Sequence, residues 1–239
     1  MILAQFSIFH SRPIAPTRRL ALGDRVLPID PAPGFGGILL GGVIAKYVTE
    51  IDDDLLEELP ALLVALSSRT RVTQPCFRHR LQTDRVGMAT SRHQLVQRTP
   101  ASPGDLPYME FEFDNMGNAE QQVLGAVYSA SAAVGPNATS RVAIFEVLIK
   151  AAAWRGKVGP SLISHLTGYG GGARLSVSAL ADPQAWALDL LGLKPAPTAK
   201  QISKRFRELV RKAHPDHGAD ESLAATRIAD LTEARRILS

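Results

Sequence analysis

Length, composition and charge close several routes at once. At 239 residues and 45% hydrophobic side chains, the chain can bury one large core, or a medium core and a small one, and it is not a disordered polymer. Its 27 basic and 23 acidic residues leave a net charge of +4, which points to no partner until the charges are placed. The single cysteine, Cys76, excludes an internal disulfide and a multi-cysteine zinc site, so a reducing, cytoplasmic setting is expected.

"MILAQFSIFH" predicts a short strand over residues 2–9. It has no basic residue ahead of its apolar run and does not read as a secretory signal, although the acid-free, arginine-bearing first 23 residues share a composition with transit peptides. The rest of residues 1–36 holds five prolines and reads as loop. The apolar run 38–48 is glycine-interrupted and far short of the ~20 residues that span a bilayer, so no membrane segment is expected.

From Asp52 onward, Leu55, Leu56, Leu59, Leu62, Leu63 and Leu66 recur at helical spacing, with Pro60 kinking or restarting the helix. The acids Asp52, Asp53, Asp54, Glu57 and Glu58 crowd its start, where negative charge is favoured by free N–H groups; a helix start is preferred over a metal site. "YMEFEF" alternates as a half-buried strand, and Asn118 then caps a small-residue helix running to about Ala133. A further helix is expected after Ser140, and another between Pro160 and Gly168. The stretch "GYGGGARLSVSALADP" lacks the Lys-Ser/Thr of a phosphate loop and is the expected linker, with a boundary near residue 180. Residues 1–178 thus read as one α+β domain without a family resemblance.

That domain shows no nucleophile, acid–base pair or metal constellation. Cys76 with His79 and His93 is a weak signal, better read as core or surface residues than as a thiol nucleophile or half a zinc site. Between Ser68 and Arg98, seven arginines face only Asp84. A solvated face balanced by the acids at 50–58 is the plain reading, and a nucleic-acid surface formed by Arg78, Arg80, Arg85 and Arg92 is the alternative.

The C-terminal segment is purely helical. In "PTAKQISKRFRELVRKA", Thr198 and Gln201 form a capping-box pair. On a helical wheel Ile202, Phe206, Leu209, Val210 and Ala213 fall within an arc of roughly 100°, while Lys200, Lys204, Arg207 and Arg211 fall within roughly 60° on the opposite side. Residues 198–213 carry six basic side chains against Glu208 alone. Pro215 must end this helix, because it pushes His214 out of the helical region and has no N–H to donate. A second helix from about Glu221 places Leu223, Ala224, Ile228, Leu231, Ala234 and Leu238 on one face, and the two faces can be buried as a helical hairpin. As a bare pattern, His214-Pro215-Asp216 also reads as a stop and turn, or with His217 as metal ligands.

These residues resemble a J domain, the signature of DnaJ-like cochaperones: the turn Leu191-Gly192-Leu193 after a short helix, the basic helix with Phe206 and Leu209, His214-Pro215-Asp216, and a closing helix "IADLTEARRIL". The resemblance covers residues 183–239 and implies a small all-α helical hairpin following the α+β domain. It further implies a non-enzymatic cochaperone without cofactor or metal, which docks on a DnaK-type heat-shock ATPase and stimulates its ATP hydrolysis. His214, Pro215, Asp216, Phe206, Lys204 and Arg207 match the docking positions, and Arg211 joins them on the wheel. The N-terminal domain would then choose the client or the location. Four positions depart from the family pattern: Ala187 and Leu188 replace a tyrosine pair, Glu208 stands where a base is common, and Arg235 replaces an aromatic.

Overall fold

The computed structural model describes residues 1–12, 18–99, 107–168, 182–213 and 221–239. Two compact units divide the chain, one made of Met1–Arg98 and Met109–Thr167, the other of Thr99–Tyr108 and Gly168–Ser239.

The first unit is a five-stranded sheet with helices, as the α+β reading expects. Its strands are β1 (Ile2–His10), β2 (Arg18–Val26), β3 (His79–Gln82), β4 (Ala89–Arg98) and β5 (Tyr108–Phe113), in the order β3-β2-β1-β4-β5. The central β1 is antiparallel to both β2 and β4, whereas β3 returns parallel to β2. Side chains alternate across β1, so Ala4, Phe6, Ile8 and His10 share one face and are all buried.

That face meets helices. Helix α1 (Gly34–Tyr47) and α4 (Ala119–Ala133) pack on the sheet, and α5 (Ala138–Ala152) and α6 (Pro160–Thr167) pack against α1. Twelve of the fourteen residues of α1 are buried, which makes it the centre of the core. Two small elements, α2 (Asp53–Leu56) and α3 (Glu58–Ser67), follow a short 3₁₀ turn; the leucine-rich segment does restart as expected, with Pro60 in the first turn of α3, where its missing N–H costs nothing.

Strand β5 covers the expected "YMEFEF", and Asn118 caps α4 with the reciprocal Asn118–Gln121 bonds of a capping box. Other elements differ from the sequence reading. β2 and the start of α1 lie where residues 1–36 read as loop: Arg18, Arg19 and Arg25 break the apolar alternation of β2, and the glycines of α1 mask a helix by propensity. The cap of α5 is Asn137, whose side chain accepts from Ser140 N, so the helix starts before Ser140 rather than after it. The expected linker near residue 180 lies outside the described residues.

Glycine serves close approach here. A Cβ on Gly125 of α4 would lie 2.6 Å from Ile8 Cγ2, and one on Gly42 of α1 would overlap the ring of Phe111. The helices therefore sit on the sheet at a separation that no larger residue permits. Gly42→Val is expected to destabilise the protein by about 1–3 kcal/mol in chemical denaturation, and the double variant with Phe111→Ala should cost less than the sum of the two single changes.

Candidate functional site

Among the described residues the second unit holds three helices, α7 (Pro183–Leu191), α8 (Ala199–Ala213) and α9 (Glu221–Leu238). Local signals set each boundary. Asp182 accepts from Ala185 N at 2.9 Å and Pro183 occupies the first turn, while Gly192, with φ of 62°, closes α7 in the left-handed conformation that favours glycine. Thr198 and Gln201 form the expected capping box at the start of α8, Thr198 N donating to Gln201 Oε1 at 2.8 Å and Gln201 N to Thr198 Oγ1 at 3.3 Å.

The apolar stripe of α8 turns inward. Ile202 is buried with Ala187 and Leu191 of α7 and Leu231 and Ala234 of α9, and Phe206, Leu209, Val210 and Ala213 are half-buried around them. Leu223 and Ala224 belong to the part of α9 whose side chains lie outside the described residues. On the other side of α8, Lys200, Lys204, Arg207 and Arg211 are exposed, as the wheel requires, and none of them pairs with a carboxylate among the described residues. His214, Pro215 and Asp216, together with His217, lie outside the described residues.

Three of the unusual positions acquire physical roles. Glu208 accepts from Arg205 Nη1 at 3.2 Å, so its carboxylate has a partner other than the cationic stripe. Arg205 in turn donates from Nε to the Leu191 carbonyl at 2.9 Å, joining α8 to the end of α7. The Arg235 guanidinium lies over the Phe206 ring at 5.0 Å, so a cation takes the stacking position of an aromatic. Ala187 is fully buried in the core, where its small side chain lets the neighbouring helices approach.

In the N-terminal unit the four candidate arginines are exposed but not gathered. Arg78 lies just before β3 with φ of 59°, and Arg80 on β3 is separated from Arg92 on β4 by β2 and β1. Arg85 donates to the Leu22 carbonyl at 2.6 Å and covers the Phe9 ring at 4.7 Å. Two neighbouring arginines are neutralised: Arg19 pairs with Asp84, and Arg98 with Glu110 and Glu112.

Cys76 is buried, with its thiol against the Thr73 carbonyl at 3.2 Å, and no three His, Cys, Asp or Glu side chains among the described residues are grouped to hold a metal. His93 instead belongs to a buried polar system that also takes in His10, Ser91 and Gln122, and His79 is buried apart from it. The Met116 carbonyl organises it. Being an acceptor only, it takes hydrogens from Ser91 Oγ and Gln122 Nε2, which directs Gln122 Oε1 to His93 Nε2 at 2.7 Å. His93 Nε2 is therefore the donor, and its Nδ1 is buried without a partner. Ser91 Oγ, with its proton committed to Met116, accepts from His10 Nε2 at 2.9 Å. A hydroxyl held in this way, on a fully buried residue, is a structural junction rather than a nucleophile. His79 donates from Nδ1 to the Phe77 carbonyl at 2.5 Å, and its buried Nε2 has no partner. Burial lowers the pKa of all three histidines, that of His79 to about 4. Sequence reading flagged His79 and His93 but missed Gln122, because a glutamine in a helix carries no periodicity signal.

Residues 188–239 match the family model of the DnaJ domain. The helical unit at the C-terminus is thus a J domain, and the chain is DnaJ-like in that part; the match leaves the N-terminal unit outside it. No curated protein and no solved structure matches the chain.

Arg205→Ala removes the α7–α8 tether and is expected to destabilise the J domain by about 1 kcal/mol, with Arg205→Lys a poor substitute because the guanidinium reaches two acceptors at once; urea denaturation followed by Trp186 fluorescence measures both. The histidines give acid sensitivity. His79 takes up a proton at pH 6.5 when unfolded but only at about 4 when folded, so its contribution is complete above pH 6.5 and is lost as the pH falls towards 4. Over that interval the wild type should lose about 3 kcal/mol through His79, with His10 and His93 adding in the same direction, and His79→Phe should flatten the dependence of unfolding free energy on pH.

Proposed function

We propose that the protein is a cochaperone whose J domain docks on a DnaK-type heat-shock ATPase and stimulates ATP hydrolysis. The observation that carries this reading is the exposed face of α8, where Lys200, Lys204, Arg207 and Arg211 stand without a carboxylate partner among the described residues. Such a stripe steers an acidic surface and sets its orientation. Beyond its last residue the sequence continues into His214-Pro215-Asp216, the tripeptide that carries the J-domain resemblance.

The division of labour on α8 supports the same reading. Glu208 is taken by Arg205, so the cationic face keeps its charge for a partner. Phe206 is packed under Arg235 and supports the helix from behind rather than offering a free ring. The N-terminal unit, with its own sheet and core, supplies client or location specificity in this scheme.

Single-turnover ATP hydrolysis by the DnaK-type partner is expected to accelerate on adding the full-length protein and to stay at the basal rate with His214→Gln. Arg207→Glu should raise the half-maximal concentration by roughly tenfold, and added salt should weaken the wild type in the same direction. Absence of stimulation by the wild type, or equal stimulation by His214→Gln, would refute the proposal.

A further inference from the structure

We propose that the cleft beside the C-terminal end of α1 binds a small anion carrying a planar aromatic ring, of the size of a mononucleotide or an aromatic carboxylate. The cleft has a volume of about 420 Å³ and lies wholly within the N-terminal unit. That volume falls in the range of small-molecule pockets.

Two of its lining residues are cations, Lys46 and Arg155, and neither pairs with a carboxylate among the described residues. Both are held in place. The Lys46 ammonium lies 5.0 Å from the centre of the Tyr47 ring and 5.6 Å from that of Phe113. Arg155 spends Nη1 on the Ala152 and Trp154 carbonyls, each at 2.8 Å, and its other nitrogens have no partner among the described residues. Those nitrogens suit a carboxylate or phosphate, which a guanidinium binds through parallel bonds. Thr49 adds a hydroxyl to the lining. The acids near Tyr47 are Glu50 and Asp114, and neither lines the cleft.

Ala45, Gly156 and Val158 complete the lining with two aromatic rings that are fixed in advance. Trp154 packs tilted against His165, ring centres 4.9 Å apart, and donates from Nε1 to the Lys157 carbonyl at 3.3 Å. Its indole covers Gly156, where a Cβ would come within 2.6 Å of the ring. Phe113 is stacked on Phe111 at 5.5 Å and meets the edge of Tyr47 at 6.3 Å. A ligand ring finds a surface that is already ordered, so binding loses little side-chain entropy. A bare anion would leave the two rings unused, and a neutral ring would leave the two cations unused; one molecule with both parts uses the whole cleft.

Calorimetric titration of the full-length protein with adenosine monophosphate and, separately, with phenylpyruvate tests this, and the stronger of the two identifies phosphate or carboxylate as the anionic group. At least one should bind saturably at one site. Adenosine and inorganic phosphate should each bind at least about tenfold more weakly. Lys46→Met and Arg155→Ala should lose at least about tenfold, whereas Lys46→Arg and Lys157→Ala should retain affinity. Gly156→Val keeps both cations but displaces the indole, and should reduce affinity to that of inorganic phosphate. No saturable heat with either probe, or undiminished binding by folded Lys46→Met and Arg155→Ala, would overturn the proposal. The titration is repeated with His214→Gln, which should bind as the wild type does, so that this outcome stands apart from chaperone stimulation.

Discussion

Burial of α1 is the constraint on which the N-terminal unit depends. A helix with twelve of fourteen residues buried has almost no polar side of its own and must be enclosed on every side. β1 and β4 cover it on one side, and α4, α5 and α6 on the others. Glycines set the distances: at Gly42 of α1, where Phe111 comes close, and at Gly125 of α4, where Ile8 does, hydrogen is the only side chain that fits. The same helix ends by projecting Lys46 between two rings, so the arrangement that completes the core also forms one wall of the cleft.

The J domain solves a different problem with one helix. Helix α8 must hold a three-helix core together and also present a cationic surface, and a period of 3.6 residues separates the two tasks onto opposite sides. Only Ile202 on α8 is fully buried, so much of the hold comes from half-buried residues and polar links. Arg205 ties α8 to the Leu191 carbonyl and Arg235 closes over Phe206. Arg235, which departs from the family pattern, thus acts within the structure, and the cations facing outward retain their charge.

The candidate docking helix was almost fully legible in the sequence, because every signal for it is local: the Thr198–Gln201 cap, the two wheel faces, and Gly192 at the turn before it. The same holds for Asn118 and its capping box, and for the alternating β5. β2 and α1 were not legible. An arginine-bearing strand and a glycine-rich helix both violate propensity, and they form because tertiary burial outweighs it. The buried histidine system was seen only in fragments, since His10, Ser91, His93 and Gln122 come from β1, β4 and α4 and meet only once the sheet and helix are assembled.

The sequence by itself determined the local capping, the amphipathic period of α8 and the resemblance of residues 183–239 to a J domain, because those features need only neighbours within a few turns. Tertiary structure decided which of the nearby bases is fixed beside Glu208: Arg205, three residues before it on the same helix, is anchored across to the Leu191 carbonyl of α7 and takes the carboxylate. Lys46 and Arg155, distant in sequence, come to line one cleft with Trp154 and Phe113 because the packing around α1 brings the end of that helix, the end of β5 and the loop after α5 to the same place.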